Sequence, residues 1–247
     1  MKRWMLATGL GTFFAMALIA TAPATLLDAR LRDASNGRLR IAEAQGTLWS
    51  GTGLLELRDE RGRSGLARTL AWRLTPAALL RARLGYEVEL GPLSRPFPVT
   101  ISWSRIELAE ADISLPAVAL GHVVPKFATL GLTGDMNLRI PRLSIGRDTT
   151  QGDATVQWRS AGSALSPVAP LGDYELRIRG EGSTVRTTLH TLAGPLQLDG
   201  QGAWASGRKP EFLATAHMAP QFRQQLAPFL RLIAVERGDG SFEFRLR

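Results

Sequence analysis

Apolar and polar residues alternate along most of the chain after residue 37, and this period of two constrains the fold more than any other feature. Six segments show it clearly: 86–90, 99–103, 136–140, 154–158, 174–178 and 242–246. Such alternation is typical of strands with one apolar face and one hydrated face. Parallel strands of an α/β protein would instead be continuous apolar runs separated by helices. The sequence therefore predicts a mainly β domain built on a curved, meandering antiparallel sheet.

Two short segments depart from this alternation and predict helices. Thr75 suits an N-cap, Pro76 suits the first helical position, and Gly85 would end this first helix. The segment 220–236 carries apolar residues at the spacing of one side of a helix: Phe222, Leu226, Phe229 and Ile233. We expect two short covering helices on the sheet. A helix that binds a partner is the alternative for the second segment.

The beginning of the chain contains an uncharged run of 24 residues, from Trp4 to Leu27. As a helix this run would be about 36 Å long, enough to cross a bilayer core of about 30 Å. Two basic residues precede the run, which favours a cytoplasmic amino terminus. The sequence thus predicts a cytoplasmic tip and a single transmembrane anchor over 1–27, followed by a β-rich domain outside the cytoplasm over 28–247.

A cleaved signal peptide is the alternative interpretation of the same run. Small residues at 20–24 resemble a cleavage site. However, Pro23 would directly follow a cut after Ala22, and the run is longer than a typical signal core. The length therefore favours a retained anchor. In both cases residues 28 onward lie outside the cytoplasm.

The motifs of the chain contain little that points to catalysis. There is no cysteine, so disulfides, iron–sulfur clusters and thiolate metal sites are excluded. The three histidines, His122, His190 and His217, lack the spacing of a metal motif. The sequence has no phosphate-binding loop and no dinucleotide fingerprint. We therefore predict no catalytic residue, no metal, no cofactor and no enzymatic activity.

The formal net charge is +8, and nearly all of the basic residues are arginine. These arginines are scattered singly among apolar residues, whereas a nucleic-acid interface would cluster them. We therefore expect no nucleic acid as a partner, and acidic lipid headgroups or an acidic protein fit the charge better. Charged residues such as Arg177 and Arg179 would then influence the choice of partner.

One six-residue stretch stands out between two alternating segments: Gly46, Thr47, Leu48, Trp49, Ser50 and Gly51. Its glycines and its tryptophan predict a hairpin bend that is anchored by a buried Trp49. Ser50 is not expected to be a nucleophile, because the nucleophile elbow requires glycine two residues before and after the serine. Leu48 and Thr52 occupy those positions. We expect a structural turn that is also a candidate interaction surface.

The stretch Gly46–Gly51 is also the strongest sign of a family. An apolar amino-terminal run, a Gly-x-Leu-x-Ile segment at 37–41 and then Gly-Thr-Leu-Trp-Ser-Gly resemble type II secretion system protein N, also called general secretion pathway protein N. Trp-Arg-Leu-Thr-Pro at 72–76 and Gly-Asp-Gly-Ser-Phe at 238–242 extend the resemblance. Between about 109 and 170 only the order of elements supports it.

The resemblance implies an inner-membrane subunit with one transmembrane helix and a periplasmic domain. Its role would be assembly or scaffolding in a machine that exports folded periplasmic proteins across the outer membrane. Implied partners are other subunits of that machine, namely the inner-membrane platform proteins and, as a further candidate, the secretin.

A second function class fits the same pattern. A one-sided apolar sheet behind a membrane anchor also resembles periplasmic lipid-transport proteins of the AsmA-like group, whose grooves accept acyl chains. Lipid is therefore an alternative ligand. An apolar face covered by helices would favour scaffolding, and a long open groove would favour lipid. A periplasmic hydrolase would require a converging polar cluster, which the sequence does not indicate.

Overall fold

The computed structural model describes residues 17, 20–58, 64–91, 94–123, 125–208 and 211–246. The chain divides into two compact units, Met1–Thr75 with Tyr86–Leu93 and Pro76–Gly85 with Ser94–Arg247. Strands make up most of each unit, and every pair of strands with a defined register is antiparallel. The predicted mainly β, antiparallel class is therefore confirmed.

Most of the predicted anchor lies outside the described residues. No helix formed by the residues that the structure does describe is both long enough and apolar enough to span a bilayer. Helix α1 (Thr25–Ala34) begins within the uncharged run, so the last residues of the run are part of the folded first unit. This helix lies against the first strand of the sheet.

The first unit contains four strands that follow each other in sequence order: β1 (Leu39–Gly46), β2 (Ser50–Arg58), β3 (Ser64–Thr75) and β4 (Leu84–Leu90). Helix α1 protects the outer edge of β1, since the Ile41 amide donates a 2.8 Å hydrogen bond to Asp28 Oδ1 on α1. The register also shifts between Ala42 and Gln45, which is a β-bulge. Both features hinder pairing of this edge with another chain.

The second unit contains ten strands within the described residues: β5 (Phe97–Ile101), β6 (Arg105–Pro116), β7 (Leu132–Gly146), β8 (Thr150–Ser163), β9 (Gly172–Gly182), β10 (Thr184–Ala193), β11 (Leu196–Ala205), β12 (Phe212–Met218), β13 (Val235–Glu236) and β14 (Phe242–Leu246). Strands β5 to β12 pair in sequence order, and β12 then pairs with β14. The short β13 lies outermost.

Within the described residues, the second unit contains a 3-10 helix (Pro220–Phe222) and four short α-helices: α2 (Pro76–Leu79), α3 (Ala119–Val123), α4 (Pro125–Ala128) and α5 (Arg223–Arg231). Helix α5 covers one end of the sheet as predicted. Its side chains Leu226, Phe229 and Leu230 are buried in a cluster that also contains Leu196, Ala216, Met218 and Phe242 of the strands. Burial of this apolar surface is the main stabilising contribution at this end of the unit.

Helix α2 begins at Pro76 as predicted but ends at Leu79, well before Gly85, and the prediction that it covers the sheet is wrong. It buries none of its residues. Leu79 is 46% exposed and the following Leu80 is 91% exposed. The physical reason is length, because a helix of four residues makes barely one turn and cannot align two apolar side chains on one face.

Candidate functional site

The stretch Gly46–Gly51 forms the turn between β1 and β2, where the sequence predicts a hairpin bend. Gly46 and Gly51 face each other across the two strands. Gly46 has a φ of +93°, which L side chains rarely adopt. A Cβ atom at Gly46 would also lie 2.5 Å from the Ser50 carbonyl oxygen. The two glycines are therefore required by the backbone geometry of the turn.

Thr47 is the centre of the hydrogen bonding within this turn. Its amide donates to the Ser50 carbonyl oxygen at 2.9 Å. Its hydroxyl oxygen accepts from the amides of Trp49 at 3.3 Å and Ser50 at 3.2 Å. This is the side-chain-to-backbone pattern that stabilises tight turns. Ser50 takes part through its main chain while its side chain is exposed, which agrees with a structural role.

Trp72 on β3 anchors the turn and is buried more deeply than Trp49, the residue that the sequence predicted as the anchor. Trp72 is 5% exposed, whereas Trp49 is only partly buried. The Trp72 indole donates a 3.1 Å hydrogen bond to the Thr47 carbonyl oxygen. Trp72 faces Gly51 across β2 and β3, and the absence of a side chain at Gly51 leaves room for the ring. Trp49 contributes its carbonyl oxygen, which accepts from the Leu74 amide at 2.6 Å.

The same turn binds the segment that precedes α1. The Leu48 amide donates to the Ala22 carbonyl oxygen at 2.8 Å, and the Ala24 amide donates to the Gly46 carbonyl oxygen at 3.2 Å. Pro23 and Thr47 form an isolated antiparallel bridge. Residues 22–24 thus extend the sheet beyond the turn. We call the joined segments 22–24 and 46–51, with Trp72, the exit clamp, because the predicted anchor leads into it.

The sequence predicted the turn but missed the two other members of the exit clamp. A signal for Trp72 was present, since it alternates with Leu70 and Leu74 in a strand that can pair with a glycine-rich partner. No comparable signal existed for residues 22–24, because their hydrogen bonds to the turn are made by main-chain groups.

Other polar groups of the second unit also have structural roles. Glu175 is buried and its pKa is lowered, first by a hydrogen bond from Gln157 and then by Arg177. Burial raises the pKa of Tyr174, whose hydroxyl donates to the Leu196 carbonyl oxygen at 3.0 Å. Arg179 pairs with Asp153 on the exposed face. These contacts stabilise neighbouring strands.

The histidines are dispersed over the second unit. His122 Nδ1 lies 3.2 Å from the Val118 carbonyl oxygen, and His190 faces Glu175 across β9 and β10. Within the described part of the chain, no three His, Asp or Glu side chains are grouped so that they could hold a metal ion.

The fold and the exit clamp define a class of protein. It is an antiparallel β domain in which main-chain hydrogen bonds attach the amino-terminal segment to the first hairpin. Within that class, the chain belongs to the type II secretion system (T2SS), protein N family, whose family model matches residues 37–245. The match confirms the family resemblance and makes the chain a component of the type II secretion system that works with other subunits.

Neither the curated proteins nor the solved structures include a significant match to this chain. The family match gives no support to the lipid-transport alternative.

Proposed function

We propose that the chain is a single-pass inner-membrane subunit with a periplasmic β domain, and that it serves as a scaffold during assembly of the secretion machine. The exit clamp is the observation that carries this proposal. Two main-chain hydrogen bonds, which together form one antiparallel bridge, fix residues 22–24 to the turn. A subunit that only tethered its domain to a membrane would need no such rigid connection, whereas a scaffold must present its domain in a defined orientation.

The exit clamp also suggests where the anchor ends. If residues 22–24 belong to the folded domain, the apolar helix would extend from Trp4 to about Ala20. Seventeen residues in a helix are about 25 Å long, at the lower limit for a membrane span. The positive residues before Trp4 would stay in the cytoplasm, and the domain would lie in the periplasm directly after the membrane.

The platform proteins of the inner membrane are the partners that we expect first, with the secretin as a further candidate. Helix α1 and a bulge protect the outer edge of β1. On β14, by contrast, Phe244, Arg245 and Leu246 pair only with β12 among the described residues. An added strand from a partner could therefore pair with the outer edge of β14.

Site-specific photocrosslinking in intact cells tests this proposal. A photoreactive residue at Arg245 should crosslink to another secretion subunit. The matched control is Gln201, an exposed residue on the interior strand β11, which should give no such product. Deletion of the gene should leave folded exoproteins in the periplasm, and the wild-type chain should restore secretion. Normal secretion after deletion, with no crosslinked subunit, would exclude the scaffold role.

A further inference from the structure

One hairpin of the second unit exposes its largest apolar side chain completely. Trp103 lies at the tip between β5 and β6, and its side chain is fully exposed. The tip is rigid, because the Ser102 amide and the Ser102 hydroxyl both donate to the Arg105 carbonyl oxygen, at 2.9 and 3.0 Å. A tryptophan held in water by an ordered turn contributes no packing to the fold, so its exposure calls for an external partner.

Three isoleucines extend this apolar surface along the sheet. Ile101 faces Ile106 across β5 and β6, and Ile106 faces Ile145 across β6 and β7. Directly paired residues of antiparallel strands project to the same face. All three side chains are exposed. With Trp103, which lies in the turn of the same hairpin, they make up what we call the Trp103 tip.

Three arginines lie at the same end of the strands as the Trp103 tip. Arg105 belongs to the hairpin itself, and Arg147 lies in the adjacent β7–β8 turn, where Gly146 faces Arg105. Arg208 lies in the β11–β12 turn, whose Gly207 lies beside the main chain of Arg147. These three arginines are exposed and have no ion-pair partner among the described residues. Acidic residues lie at the same end as well: Glu107 follows Arg105 on β6, Asp148 and Glu211 are exposed in the two turns that carry Arg147 and Arg208, and Glu181 is paired with Arg186.

We propose that the Trp103 tip inserts into the headgroup region of a membrane that contains anionic lipids. Tryptophan is favoured at this depth because its ring is apolar and its indole N–H can remain hydrated. Isoleucines would reach toward the acyl boundary, and the three arginines would contact lipid phosphates, as basic residues do beside interfacial apolar segments. A protein groove is the competing partner, and the experiment below separates the two.

This inference rests on the proposed membrane anchoring in one respect, because the anchor would keep the Trp103 tip close to lipid. A tethered domain needs little additional affinity to remain on the membrane surface. The absence of cysteine makes the experiment direct. In Ser104→Cys, a single environment-sensitive fluorophore is attached beside an intact Trp103. In Leu192→Cys, the same fluorophore is attached to an exposed position at the opposite end of β10. Both full-length variants are reconstituted in nanodiscs with or without anionic phospholipid.

In anionic nanodiscs the probe at residue 104 should shift to the blue and be quenched by lipids that carry a quencher near the headgroup. The probe at residue 192 should show neither effect. Adding Trp103→Ser to the Ser104→Cys variant should abolish the response, as should salt of about 1 M, which shortens the Debye length to about 3 Å. Each of Arg105→Gln, Arg147→Gln and Arg208→Gln should weaken the response about fivefold, the factor that corresponds to roughly 1 kcal/mol per basic residue.

A probe at residue 104 that remains in water in anionic nanodiscs would overturn the proposal. A blue shift that requires another secretion subunit and is insensitive to lipid composition would also overturn it and would identify a protein partner instead. If the full chain is not retained in nanodiscs, the anchoring proposal fails separately. In that case the fluorescence of the same probe is measured with added anionic vesicles. The absence of a response would overturn the proposal for the Trp103 tip.

Discussion

The exit clamp in the first unit and the buried cluster around α5 in the second unit stabilise strand ends in different ways. This second group, here called the α5 cluster, consists of Leu226, Phe229 and Leu230 of the helix with Leu196, Ala216, Met218 and Phe242 of the strands. The α5 cluster relies on apolar burial, with Leu226, Leu230 and Phe242 entirely inaccessible to water. The exit clamp contains the buried ring of Trp72 and relies on main-chain hydrogen bonds, on the Thr47 hydroxyl group and on two glycines. Burial tolerates small changes of geometry, whereas hydrogen bonds are directional. We therefore expect the α5 cluster to determine stability and the exit clamp to determine orientation.

The largest effect should come from truncation in the α5 cluster. Phe242→Ala removes a fully buried ring and should destabilise the protein by about 3–5 kcal/mol, the usual range for a buried aromatic side chain. Denaturant unfolding of the purified full chain measures this loss. Leu232→Ala is the matched control, because Leu232 is 70% exposed at the end of α5, and it should change stability very little. Equal losses for both variants would contradict the assigned core.

A smaller effect is expected in the exit clamp. Trp72→Phe keeps most of the apolar surface but leaves the Thr47 carbonyl oxygen without its indole donor, which should cost about 1–3 kcal/mol. Hydrogen exchange of the Leu48 and Ala24 amides should increase at the same time. Trp103→Phe is the control for an exposed tryptophan and should have no effect on either measurement. Unchanged exchange in Trp72→Phe would mean that the ring does not hold the turn.

Protection of the β1 edge can be tested at Asp28. Asp28→Asn weakens the charge-assisted hydrogen bond to the Ile41 amide, and Asp28→Ala removes it, with an expected loss of about 1–3 kcal/mol. The Ile41 amide should exchange faster, and the exposed edge should promote self-association of the purified protein. Asp33→Asn, at an exposed position of the same helix, should do neither. Persistent protection of Ile41 in Asp28→Ala would refute the edge role of α1.

The pH dependence of the second unit should include a contribution from Glu175. The pKa of Glu175 lies below its ordinary value of 4.5, so the folded protein favours the ionised form. This stabilisation is complete above the ordinary pKa and is lost as the pH falls through the lowered pKa of the folded state. Glu175→Gln should flatten the acid side of the stability profile. An unaltered profile in Glu175→Gln would rule out this contribution.

The smallest effect is expected at Ser50. Its side chain is exposed, so Ser50→Ala should change stability by less than about 0.5 kcal/mol and should restore secretion in the deletion strain as well as the wild type does. A stable Ser50→Ala variant that fails to restore secretion would indicate a chemical role for the hydroxyl group.

Period-two alternation was sufficient to predict the antiparallel sheet, because strands that are buried on one face alternate apolar and polar residues in the sequence. The spacing of Leu226 and Phe229 predicted α5 for the same reason. The exit clamp could be predicted only at its turn. Ala22 and Ala24 bind through main-chain groups that every residue possesses, so no pattern marks their partner. The prediction that α2 covers the sheet was wrong for a different reason. The spacing of apolar residues indicates which side chains would align on a helix, but it does not indicate whether the helix is long enough to bury them.

In the proposed topology, the exit clamp would also affect proteolytic processing of the chain. Leader peptidases bind their substrates as extended, unpaired main chain, and residues 22–24 lose that availability once they pair with the turn. Retention of the apolar segment would then depend on two rates. If β1 and β2 fold before the peptidase acts, the segment is retained, and if they fold later, it can be cut. Slower formation of this hairpin, as in a variant with a side chain at Gly46, would lengthen the interval during which the segment can be cut.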